Sequence, residues 1–78
     1  MNAILPPRLA PTTPIDTAAL SGLRSAMWDL HEPVLPAQTV LYLYETRWDY
    51  VDQGAIAPDE AALLRRLVDE IGNGVFLD

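Results

Sequence analysis

Few residues in this sequence could do chemistry, and they are scattered. A serine nucleophile needs a base within hydrogen-bond reach and a third group to orient that base. The chain has one histidine, His31, and its serines Ser21 and Ser25 lie ten and six positions before it. All three fall on one stretch with helical periodicity, which is not the arrangement of a triad. No HExxH, glycine-rich phosphate loop or GxSxG elbow occurs. With no cysteine and a single histidine, thiolate and multi-histidine metal sites are excluded. His31 beside Glu32 instead suits the end of a helix, where a protonated imidazole complements the helix dipole. The sequence therefore predicts no catalytic residue, no metal and no cofactor.

The carboxylates form the next pattern. Glu45, Asp49 and Asp52 stand at i, i+4 and i+7, one stripe of a helix, and from Glu45 to Glu60 five acids face a single base. Such a stripe is either a solvated face or a surface for a basic partner. Its spacing does not match a calcium-binding loop. Arg47 falls inside an apolar arc, either as a stem whose charged end reaches water or pairs with an acid of its own chain, or as a fork that reaches a carboxylate across an interface. Trp28 projects among polar residues, so it is either covered by a terminal segment or offered to a partner.

Four of the six aromatic residues, Tyr42, Tyr44, Trp48 and Tyr50, fall within nine positions. That segment is either the organising core element or a surface made for another molecule. The elements that would position it read as three helices. Residues 16–31 begin with Asp16 as N-cap, Ile15 and Leu20 as a staple, and Ala19, Leu20, Leu23, Ala26, Met27 and Leu30 on one face. Gly22 in its middle weakens it by about 1 kcal/mol relative to alanine. Residues 36–53 open on Pro36 and end at Gly54. Their apolar arc covers about half the circumference, wider than the usual stripe. A strand at 39–44 is the rival reading of the same residues. Residues 58–71 start at Pro58 with Asp59 and Glu60 in the first turn, where the dipole favours acids. Gly72-Asn73-Gly74 stops them.

Residues 1–14 hold four of the seven prolines and read as a flexible or polyproline-like arm from which Ile4, Leu5 and Leu9 could dock. Residues 15–78 then form a single helical domain, with Val75-Phe76-Leu77 as an apolar tail over the core. The expected architecture is an all-α, three-helix bundle.

Half the residues are hydrophobic, so a chain of 78 residues can hold a small core. Its net charge is −6, from eleven acids against five arginines and no lysine, which disfavours direct nucleic-acid binding. No apolar run approaches the roughly 20 residues of a membrane-spanning helix, and no secretory signal is visible. The cytoplasm is the default compartment.

The sequence thus points to a small acidic, non-enzymatic interaction module, an adaptor, inhibitor or antitoxin-like partner. Its contact surface would be the aromatic-rich second helix with Trp28. The contact residues expected are Trp28, Tyr44, Glu45, Arg47, Trp48, Asp49, Tyr50 and Asp52. One alternative is a structural homodimer that pairs second helices, Arg47 meeting Glu45 or Asp49 of the other copy. The other is an acidic nucleic-acid mimic that occupies a DNA-binding protein. No nucleic acid, membrane or small-molecule substrate is expected as a partner.

Overall fold

Proline decides the first half of the chain. The computed structural model describes residues 7–76, so Ile4, Leu5 and Leu77 lie outside the described residues. Pro14–Asp16 (β1) and Val34–Pro36 (β2) pair antiparallel, with Pro14 opposite Pro36, Ile15 opposite Leu35 and Asp16 opposite Val34. Backbone bonds flank this short ladder: Thr17 N donates to Pro33 O at 2.7 Å and Ala37 N to Thr13 O at 2.8 Å. Hydrogen-bonded pairs alternate along an antiparallel ladder, so the Pro14–Pro36 pair occupies a non-bonded position. Neither missing N–H is needed there, and two residues that read as breakers become compatible with a strand.

This pairing overturns the all-α bundle. Among the described residues the fold is small and mixed α/β, three helices plus a two-stranded antiparallel sheet. The helix expected over 16–31 exists only as Ser21–Arg24 (α1). Asp16 does act as a cap, its Oδ1 accepting from Ala18 N at 3.0 Å, but what it caps is a single 3-10 turn, Thr17–Ala19. Leu20 then leaves helical geometry at φ −102°, ψ 79°. Local side-chain and turn bonds of this kind compete with a continuing helix, as Asp, Ser and Thr commonly do. After α1, successive turns carry the chain from Ser25 to Leu30.

The second helix is also shorter than expected. Ala37–Thr46 (α2) follows directly from β2, and the rest of 36–53 breaks into 3-10 turns at Trp48–Tyr50 and Gln53–Ala55. Arg47 ends α2 at φ −122°, ψ 25°. Beyond it the chain turns inward, burying Val51 and letting Asp52 N donate to Gly22 O at 3.0 Å. The strand alternative at 39–44 does not occur. The third helix, Pro58–Glu70 (α3), matches the sequence reading to one residue. Asn73 at φ 55° and Gly74 at φ 83° take left-handed geometry just past its end, and Gly74 N bonds back to Val68 O at 2.8 Å.

The core gathers Ile15, Leu20, Leu23, Ala26, Ala37, Val40, Leu41, Leu43, Tyr44, Val51 and Leu67, with Leu9 added from the proline-rich stretch. Leu9 is held by polar clamps from α3. Its N–H donates to Glu70 Oε1 at 2.6 Å, while Arg66 bonds Glu70 and reaches Pro7 O at 3.1 Å. Arg66 and Glu70 thus fasten the chain from Pro7 to Leu9.

One buried carboxylate joins the elements. Glu60, 2% exposed, accepts from Gly22 N at 2.9 Å through Oε1, and from Leu23 N at 3.0 Å and the Tyr44 hydroxyl at 2.7 Å through Oε2. Leu20 offers α1 no side-chain cap, so Glu60 caps α1 from across the fold. Gly22 is required by this closeness. A Cβ there would stand 2.5 Å from Ile56 Cγ1, 2.9 Å from Asp52 O and 3.1 Å from Glu60 Oε2. The glycine that weakens a helix on paper is what lets α1 reach its cap.

Candidate partner-binding site

The turns after α1 and the turn after α2 bring three expected contact residues together. Trp28 and Tyr50, from opposite halves of the chain, meet edge to face with ring centroids 5.2 Å apart and planes at 67°. Both remain open to solvent, at 60% and 63%. Arg47 lies over Trp28, its guanidinium carbon 4.8 Å from the ring centroid, within the range of a cation–π contact.

Arg47 is fixed from its other side. Its Nη1 donates to Asp29 Oδ1 at 2.6 Å and to Ala26 O at 3.0 Å, and its Nη2 donates to Asp29 Oδ2 at 3.2 Å. This two-pronged pairing holds the Asp29 carboxyl below its usual range and the guanidinium above its own. Four side chains form one assembly: Asp29 orients Arg47, Arg47 backs Trp28, and Trp28 rests on the ring of Tyr50. The arginine spent internally explains why it could sit within an apolar arc.

The other expected contact residues fall elsewhere. Tyr44 is wholly buried, and burial followed by its bond to Glu60 pushes its hydroxyl far above the ordinary value. Trp48 is half-buried between Tyr44 and Phe76, at centroid distances of 6.5 and 5.3 Å. Glu45 is half-buried on α2. Asp49 and Asp52 are exposed on either side of Tyr50 in the chain. The apolar face of α2 turns inward, with Ala37, Val40, Leu41, Leu43 and Tyr44 all buried. Tyr42 on α2, Val34 on β2 and Val75 also stay open, whereas Trp28 and Tyr50, in the turns that leave α1 and α2, stay open and touch each other.

Sequence reasoning missed Asp29 and Glu60. Arg47 within an apolar arc signals that some acid must answer it, but nothing in the spacing picks Asp29 from eleven. Glu60 two residues after Pro58 already has a local explanation in the helix dipole, which hides its inward role.

A hollow of about 170 Å3 lies between Thr17-Ala18 and the 27–33 turn, with Arg24, His31 and Glu32 in its lining. It is smaller than the several hundred Å3 typical of small-molecule sites. Among the described residues, no three His, Cys, Asp or Glu side chains are grouped so as to hold a metal ion. Nor is any helix among them long and apolar enough to cross a membrane. Comparison with protein-family models, curated proteins and solved structures returns no match.

Proposed function

We propose that the chain is a small non-enzymatic protein-interaction module whose contact surface is the patch of Trp28, Tyr50 and Arg47. The observation that carries this reading is that two large aromatic side chains are exposed and at the same time fixed. Tryptophan, tyrosine and arginine are the side chains enriched at binding hot spots. A ring held in place before binding loses little conformational freedom when a partner covers it. The two rings together expose on the order of 250–300 Å2, given that such side chains bury 150–250 Å2 each. That is a sizeable share of the largest apolar patch on an ordinary monomer.

A photo-crosslinking amino acid placed at Tyr50 in the cell tests this reading. The expected result is one discrete protein adduct, absent when the probe stands at exposed Arg65 on α3 and lost when Trp28→Ala is added. Equal labelling from positions 50 and 65, or labelling indifferent to Trp28→Ala, would refute the assignment.

A further inference from the structure

We infer that the occupant of this patch is a short, extended, arginine- or lysine-bearing segment of another protein, whose cations stack on Trp28 and Tyr50. The inference rests on the reading of the patch as a contact surface. Three observations narrow the occupant.

The area comes first. A few hundred Å2 is well below the roughly 800 Å2 per partner of a stable protein–protein interface. A folded face or a second copy would have to complete its contact over the polar surface around the rings, which a linear segment need not do.

Charge comes second. Tyr50 is flanked in the chain by Asp49 and Asp52, both exposed and without an arginine partner among the described residues. Arg47 adds no net positive charge to the patch, because Asp29 neutralises it. With exposed Arg24 four residues before Trp28 counted against Asp49 and Asp52, the segments that carry the rings still sum to a net negative charge, on a chain of net charge −6. A second copy or a phosphate-bearing ligand would be repelled, and a basic segment attracted.

The third observation is that the fold already performs the contact. Arg47 places a guanidinium 4.8 Å from the Trp28 centroid and secures it with a carboxylate beside the ring. A partner arginine would repeat the arrangement, its charge answered by Asp49 or Asp52. Ring stacking would supply affinity, and the carboxylates would supply selectivity for cations.

The test uses the full chain and reads the indole N–H resonance of Trp28, assigned by its disappearance in Trp28→Phe. Nona-arginine, nona-glutamate and deca-proline peptides are titrated in turn at physiological salt. Nona-arginine is expected to shift the resonance saturably, and nona-glutamate to leave it in place. Asp49→Asn/Asp52→Asn should weaken nona-arginine binding roughly five-fold. Asp59→Asn/Asp69→Asn, with the same change in net charge but on α3, should weaken it less than about two-fold. Trp28→Ala, followed through backbone amides around Tyr50, should weaken it about thirty-fold, as hot-spot truncations do.

No shift with nona-arginine overturns the inference, as does equal weakening by the two double variants, which would mean attraction to net charge alone. Deca-proline binding as tightly as nona-arginine overturns it too, and would assign the patch to proline-rich segments. A specific crosslink from position 50 together with failure of nona-arginine would leave the contact surface standing and refute only its basic occupant.

Discussion

Replacing Glu60 tests the organisation of the fold most directly. Glu60→Leu has similar bulk but leaves the N–H groups of Gly22 and Leu23 and the hydroxyl of Tyr44 without their acceptor. A buried donor stranded in this way costs about 1–3 kcal/mol. Three of them set a floor near 3 kcal/mol even at the low end, with some offset because a buried carboxylate is itself expensive to desolvate. A domain of this length has only about 4–12 kcal/mol of stability in total, so the loss is a large share. Glu60→Gln should cost less. Its amide oxygen can take over Oε2 and still serve Leu23 N and Tyr44, but its NH2 then faces the N–H of Gly22, donor against donor. One lost contact corresponds to about 1–2 kcal/mol. Tyr44→Phe should cost about 1 kcal/mol in the native background, yet recover about 1–3 kcal/mol beside Glu60→Leu, where it removes the stranded hydroxyl. Urea unfolding followed by far-ultraviolet circular dichroism measures the four variants against the native chain. A loss below about 1 kcal/mol for Glu60→Leu would refute the trans-capping argument. So would equal losses for leucine and glutamine, or additivity of Tyr44→Phe with Glu60→Leu.

Three further outcomes follow from the same geometry. Gly22→Ala, stabilising by helix propensity alone, should instead destabilise by about 1–3 kcal/mol, because its Cβ meets Ile56 and the Asp52 carbonyl; a thermal melt decides the sign. The carboxyl of Glu70 is held below the ordinary glutamate range, first by Arg66 and then by Leu9 N. Its folded pKa being depressed, it contributes stability above the unfolded value and loses that contribution as pH falls through the folded one. The Leu9 amide resonance should therefore shift with an acid midpoint below that of a free glutamate, and a midpoint at or above it would contradict the clamp. Arg47→Lys keeps the charge but loses the fork, so it should change Tm little while loosening Trp28. Relaxation of the Trp28 indole resonance should report greater motion, and an unchanged order parameter would argue that the Tyr50 contact alone holds the ring.

What was legible in the sequence divides along the range of the forces involved. α3 was readable because its signals are local: Pro58 and two acids open it, and Gly72-Asn73-Gly74 closes it. Burial of Leu20, Leu23 and Ala26 was readable from apolar spacing even where the element was misassigned, whereas Tyr44, expected as a contact residue, is buried against Glu60. The first helix was not readable, because the stretch expected to form it is drawn into turns between two strands whose pairing, about twenty positions apart, no local window contains. Pro14 and Pro36 read as punctuation, and only their mutual register makes them strand residues. Trp28 was readable as an outlier on its projected helix. That helix is largely absent, yet the outlier is exposed. The polar context of Ser21, Arg24 and Ser25 conveyed the exposure, not the helical geometry used to express it.

The way the patch is tied to the core argues that its exposure is built in. Glu60 in α3 holds Gly22 and Leu23, which start α1, and the turns leaving α1 carry Ala26, Trp28 and Asp29. Arg47 closes the circuit from the end of α2, bonding Ala26 O and Asp29 where the helix stops. The inward turn that buries Val51 leaves Tyr50 outside beside Trp28. Two aromatic rings that merely failed to find a place in a small core would have no reason to be anchored through three helices. Sites placed on rigid elements and locked by a second layer of bonds keep their geometry before a ligand arrives. Here the buried Glu60 is that second layer. A Glu60→Gln protein that still folds should therefore show a broader Trp28 indole resonance than the native chain, although residue 60 never touches the ring. An unchanged Trp28 resonance in that variant would mean that Arg47 and Tyr50 set the patch by themselves, with no contribution from the core.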